Sequence, residues 1–148
     1  MSSLILPAEQ LKAELAALGF KTPDFVRDKD CLCPSADFLD DMCLYIKDHV
    51  WVYLPDKSDC DDAAFDLVVL ASRALAKSRV NNVGHAVCFC QIIITEGATL
   101  NNIGGGGHCT TIVRTPDGWK FLERESGTYE DAATRINDGS VTPGFAMC

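Results

Sequence analysis

Apolar residues recur at helical spacing near the amino end, where Leu11, Leu15 and Leu18 fall on one face of a segment from Pro7 to Leu18. Proline near its start and Gly19 just past its end are ordinary helix punctuation. Lys21 to Pro34 reads as turn-like. Ser35 stands at an N-cap position before a second helix, whose apolar residues are Phe38, Leu39, Met42, Leu44, Tyr45 and Ile46. Val50 to Leu54 is short, apolar and aromatic, and reads as extended. Ser58 or Asp59 caps a third helix that starts at Cys60 and runs to about Ser78. Ala63, Phe65, Leu67, Val68, Val69, Leu70, Ala71, Ala74 and Leu75 make it apolar nearly all round, which predicts a buried helix.

Three extended segments follow. Gly84 to Thr95 is rich in β-branched residues, and His108 to Arg114 and Trp119 to Arg124 flank the turn Pro116-Asp117-Gly118. From Thr128 onward the pattern predicts a short helix at Tyr129 to Ile136, then becomes irregular. The expected class is α+β, with N-terminal helices and a long buried helix packed on an antiparallel sheet. One domain over residues 1–148 is expected, with a helical front at 1–52, a catalytic core at 53–127 and a tail at 128–148.

Composition narrows the function classes. The 148 residues are 47% hydrophobic and 23% charged, a globular balance. The formal charge of -8 repels phosphates and anionic membrane surfaces, so neither nucleic acid nor membrane is an expected partner. The first residues lack a basic start and a long apolar run, and Ala63 to Ala76 is too short to span a bilayer. A cytoplasmic protein is the expectation. Eight cysteines include the Cys-x-Cys pairs Cys31/Cys33 and Cys88/Cys90 but no Cys-x-x-Cys knuckle. Most are expected to be small buried hydrophobes rather than disulfides or zinc ligands.

The candidate chemistry centres on Cys60. A thiolate at the first turn of a helix faces unpaired backbone N–H groups, which favours ionisation, although Asp59, Asp61 and Asp62 oppose it. Such a nucleophile needs a base and a third group to orient that base. His108 follows Gly104-Gly105-Gly106-Gly107 and opens a strand, and Glu123 lies on the paired strand. His85, which also follows a glycine, is the competing base. His49, between Asp48 and Val50, reads as surface. An oxyanion would be held by the backbone N–H of Cys60 and one donor from the Val50 to Ser58 approach, with Trp51, Tyr53 and Gln91 as unranked candidates.

The segments DCDDAAFDLVVLASRAL and GGGHCTTIVRTPDGWKFLERESG resemble the papain-like cysteine protease domain of the Marasmius-type fungal agglutinin and its phage-encoded relatives. These belong to the wider transglutaminase-like and papain-like superfamily. The resemblance covers roughly Tyr53 to Gly127. It implies a papain-like fold and thiol-dependent acyl transfer by a cysteine peptidase or amidase acting on protein or peptide. Cys60 would be nucleophile, His108 base and Glu123 orienter. A phage-encoded enzyme acting inside a host cell is part of what the resemblance implies. Calcium enters by resemblance alone, and Asp28, Asp30, Asp37, Asp40 and Asp41 match no EF-hand spacing.

The chain departs from the pattern at Arg124, where relatives often carry proline. The hairpin register also matters. A three-residue loop at Pro116 to Gly118 puts Glu123 on the face away from His108, whereas a loop of Pro116 and Asp117 alone puts both on one face. Glu125 or a backbone carbonyl is the fallback third group. Three alternatives stand beside hydrolysis: transglutaminase-like amide transfer, a noncatalytic papain-like binding or virion-associated module, and a metal-bound structural domain.

Overall fold

The computed structural model describes residues 4–22, 30–52, 54, 60–77, 86–97 and 108–147. In chain order the elements are β1 (Leu4–Pro7), α1 (Ala8–Ala17), β2 (Asp30–Cys33), α2 (Ala36–Asp48), α3 (Cys60–Lys77), β3 (Ala86–Val87), β4 (Phe89–Gly97), β5 (His108–Thr115), β6 (Gly118–Glu123), β7 (Thr128–Asp131), α4 (Ala132–Asn137) and β8 (Val141–Met147). They form a three-stranded sheet in the order β1-β2-β3 and a five-stranded sheet in the order β7-β6-β5-β4-β8. The large sheet is antiparallel throughout, while β2 and β3 pair in parallel. The architecture is a mixture of helices and antiparallel sheet.

Local chemistry sets several boundaries. α1 stops where Gly19 takes φ 98°, a left-handed conformation that favours glycine, and its N–H bonds the Ala16 carbonyl at 3.0 Å. Ser35 caps α2 by accepting from the Phe38 N–H at 3.3 Å. Asp131 does the same for α4, accepting from the Thr134 N–H at 2.9 Å.

Four expectations are corrected. The turn-like segment before Pro34 holds β2, and the irregular tail holds β8. Both strands are short and fixed by distant partners, β1 for one and β4 for the other. The short helix begins at Ala132, because Thr128–Asp131 is claimed by pairing with β6. The extended run after residue 84 is divided at Cys88, whose N–H bonds Leu32 of the small sheet while its carbonyl accepts from Arg114 of the large one. Cys88 is the point where the chain crosses from one sheet to the other.

The large sheet has a core on each side. On one face Ile92, Ile94, Ile112, Trp119 and Phe121 pack with Leu11 and Leu15 of α1. On the other, Val113 and Leu122 pack with Leu39, Met42 and Ile46 of α2 and Leu67 and Ala71 of α3. Each fully buried aliphatic side chain here is worth about 1.5–3 kcal/mol of transfer free energy. α3 is not buried all round, since Ala63, Ala64, Leu67 and Ala71 are covered but Phe65 remains 61% exposed. Val68 and Leu70 are partly buried against the same core.

The cysteines divide. Cys33, Cys43 and Cys88 are buried thiols outside any disulfide, and Cys31, Cys60 and Cys109 are half-buried thiols outside any disulfide. Cys90 departs from expectation in being disulfide-bonded.

Candidate functional site

The residues singled out by sequence gather near the start of β5 and the end of β6. The hairpin joining these strands pairs Thr115 with Gly118, so its loop is Pro116 and Asp117 alone. With Thr111 opposite Leu122, Glu123 comes level with Thr110 and shares the face of His108. The ring Nε2 of His108 accordingly lies 3.3 Å from Glu123 Oε1 and 3.4 Å from Oε2. Glu123 is only 3% exposed, so its carboxylate is screened little by water.

This pair controls the charge on the ring. Burial pushes His108 towards neutrality, but the hydrogen bond and charge of Glu123, helped by the charge of Glu125, outweigh it and hold the pKa above the ordinary value. Glu125 is pushed above the usual carboxylate range by burial first and by the neighbouring Glu123 second. Its Oε1 is buried with no hydrogen-bond partner, as is the indole N–H of Trp51. Such orphaned groups are uncommon in folded proteins.

Cys60 begins α3 and is half-buried. The helix is fixed on β5 one turn further along, where Thr111 Oγ1 donates to the Ala64 carbonyl at 3.3 Å. Among the described residues no hydrogen bond joins the Cys60 sulfur to the His108 ring. The structure therefore unites imidazole and carboxylate, and leaves the thiol outside their hydrogen bonding.

Arg124, noted only as a departure from proline, proves to be a structural hub. Its Nε donates to Asp66 Oδ2 at 2.7 Å, its guanidinium donates to the His49 carbonyl at 2.8 Å, and the same group stacks 5.4 Å from the Trp51 ring centroid. Proline has no donors to offer there. Asp66, an acid inside an apolar helix, was the available signal for this network, and sequence reasoning missed it.

The other candidates are placed simply. His49 is exposed, its ring stacked 3.9 Å from Tyr45 with Nδ1 2.9 Å from the Tyr45 carbonyl. His85, Tyr53, Asp28, the caps Ser58 and Asp59, the Gly104–Gly107 run and the Gln91 side chain lie outside the described residues. Asp40 accepts from the Tyr129 hydroxyl at 2.9 Å. Among the described residues no group of three or more His, Cys, Asp or Glu is placed to hold a metal, and no helix is long and apolar enough to cross a membrane.

No family model and no curated protein matches this chain. Solved structures do. A PSL1a–E64 complex superposes with a TM-score of 0.70 at 18% identity, covering 98% of this chain and 50% of that one. Polyporus squamosus lectin bound to the human-type influenza-binding epitope Neu5Acα2-6Galβ1-4GlcNAc superposes with a TM-score of 0.68 at 17% identity, covering 99% and 50%. At such identities the likeness is one of fold, and the chain spans half the length of each. These neighbours are structures of a sugar-binding fungal lectin, and that finding corrects the identification as a papain-like cysteine protease. It equally overturns the expected cysteine peptidase, amidase or other thiol hydrolase, and the protein or peptide substrate. The physical basis is that a buried His–Glu pair also serves as a fixed polar element of a fold, and needs no nucleophile to be stable. The fold of this chain is one found in a fungal lectin.

Proposed function

We propose that the chain is a noncatalytic binding module, a papain-like helix-on-sheet scaffold whose ligand is a glycan. The observation that carries this reading is the fold likeness, across nearly the whole chain, to Polyporus squamosus lectin with a sialylated trisaccharide bound.

The local chemistry supports it. Sugar hydroxyls both donate and accept, and half-buried Trp51 and Glu125 flank Arg124 with one polar atom each that has no partner among the described residues. Trp51 is half-buried and offers an apolar ring edge, while Glu123 is already committed to His108. On this proposal Cys60, His108 and Glu123 belong to the lining of the binding region. The proposal treats residues 1–148 as one unit. The net charge of -8 opposes a sialic acid carboxylate, so neutral glycans suit this chain better than the charged epitope does.

Calorimetry with Galβ1-4GlcNAc and with Neu5Acα2-6Galβ1-4GlcNAc tests the reading. The neutral disaccharide is expected to bind, and Trp51→Ala to abolish the heat. The sialylated epitope is expected to bind more weakly at low salt and to recover as salt rises. Absence of heat with both sugars, together with an array of neutral glycans giving no signal, overturns the proposal. A second measurement addresses the noncatalytic part. Iodoacetamide is expected to label Cys60 no faster than the equally half-buried Cys109. Selective labelling of Cys60 that His108→Ala slows would refute that part.

A further inference from the structure

We propose that Cys33 and Cys88 form a dithiol pair that a peroxide closes into a disulfide, tying the small sheet covalently to the large one.

The placement comes from strand register. β2 and β3 run parallel with Cys31 opposite Ala86 and Leu32 opposite Val87, so the next pair in line is Cys33 and Cys88. The Cys88 N–H bonds the Leu32 carbonyl at 2.9 Å, which holds that register one residue beyond the end of β3. Neighbouring strands stand about 4.8 Å apart, inside the roughly 4.4–6.8 Å Cα separation that disulfides accept. Both residues are free thiols, 0% and 4% exposed, in the same core cluster as Ile112 and Trp119. Their side chains lie close enough to perturb one another's ionisation.

That contact makes the two sulfurs unequal. The neighbouring Cys88 side chain lowers the pKa of Cys33 despite its burial, assisted by the charge of Arg114. Cys88 is pushed well above the ordinary thiol value by its neighbour Cys33 and by burial. Cys33 is written as the attacking sulfur and Cys88 as the resolving one; the reverse order gives the same disulfide.

The chemistry balances with hydrogen peroxide, a small two-electron oxidant suited to a closed site. The Cys33 thiolate attacks one peroxide oxygen, the O–O bond breaks, and the departing hydroxide takes a proton to leave as water. Cys33 is now a sulfenic acid. The Cys88 sulfur then attacks the Cys33 sulfur, the S–O bond breaks, and the hydroxide leaves as a second water with the Cys88 proton. Two thiols have lost two electrons, and one peroxide has gained them.

The consequence is mechanical. Cys88 bonds one sheet through its N–H and the other through its carbonyl, so a covalent link to β2 fixes the crossing point. Cys31, on the same strand, faces Ala86 and has no cysteine opposite.

The test treats the intact chain with limiting hydrogen peroxide, blocks remaining thiols after unfolding, and maps peptides without reduction. The expected product joins the Cys33 and Cys88 peptides, is cleaved by dithiothreitol and unfolds at a higher temperature than the reduced chain. Cys31→Ser is expected to keep the link, and Cys88→Ala to lose it. The proposal is overturned if both residues remain fully alkylatable after oxidation, or if Cys33 is recovered joined mainly to another cysteine. The map of the unaltered chain decides the matter even where Cys88→Ala fails to fold.

Discussion

Glu14 of α1 and Arg114 of β5, a hundred residues apart in the chain, meet with Nε 2.7 Å from Oε2. The same Glu14 oxygen accepts from the Trp119 indole at 3.0 Å. Burial pushes the Glu14 carboxyl up, but hydrogen bonds from Arg114, Gln10 and Trp119 together hold it below its ordinary value. Glu14→Ala leaves Arg114 and Trp119 without their acceptor. The expected loss is about 1–3 kcal/mol of unfolding free energy, measured by urea titration at neutral pH. A depressed carboxylate contributes stability above its unfolded pKa, and that stability disappears as pH falls through the folded value. The gap between wild type and Glu14→Ala is therefore expected to shrink below about pH 4.5. A gap that stays constant with acid would contradict the assignment.

The His108–Glu123 pair runs in the opposite direction. A histidine whose folded pKa is raised adds stability that is complete below the unfolded value and fades as pH climbs through the folded one. Stability from this pair is expected to decline from about pH 6.5 upward. Proton NMR of the imidazole reads the effect directly. Glu123→Gln removes the charge that outweighs burial, so the His108 titration should move to lower pH. An unmoved midpoint would mean that another group holds the ring.

Gly127 takes φ +62°, and a Cβ there would stand 2.8 Å from the Cys43 carbonyl and 3.0 Å from Ile46 Cγ2. Backbone on one side and a fully buried isoleucine on the other leave little room to yield. Gly127→Ala is expected to destabilise the chain by about 1–3 kcal/mol. Thermal unfolding followed by circular dichroism checks it, with Gly139→Ala, at a similar φ of +79° but with no atom within 4 Å of the added carbon, as the milder comparison. Equal losses at the two positions would remove the steric argument.

Arg124→Lys keeps the charge but loses the planar fork that serves Asp66 and the His49 carbonyl together. A cost of about 1–3 kcal/mol is expected in denaturant unfolding. The Trp51 fluorescence is expected to shift, since its ring loses the stacked guanidinium. No change in either readout would mean that Arg124 is a surface cation and nothing more.

How much of this was visible beforehand follows from where the determinants lie. α1, α2 and the β5–β6 hairpin could be read because local residues specify them: Gly19, Ser35 and the Pro116-Asp117 loop act within a few positions of the element they bound. β2 and β8 could not, because their four and seven residues become strands only through partners far along the chain. The same divide explains the site. His108 and Glu123 were legible as chemistry-bearing types on paired strands, and the two-residue loop fixes their shared face. The Arg124–Asp66–Trp51 network joins three segments remote in sequence, and no spacing announces it. The ligand was misread for a related reason. A Cys–His–acid order is a chain order, and it records neither which groups hydrogen-bond nor what the fold is used for.

The large sheet ends at β8, and an open sheet margin is an invitation to aggregate. Here Lys21 occupies that margin, its N–H bonding the Gly144 carbonyl and its carbonyl accepting from the Ala146 N–H. Its ammonium also reaches over Phe145, which is otherwise half exposed. A single lysine thereby acts as a stopper: it takes up one carbonyl and one N–H along that margin and sets a positive charge beside them.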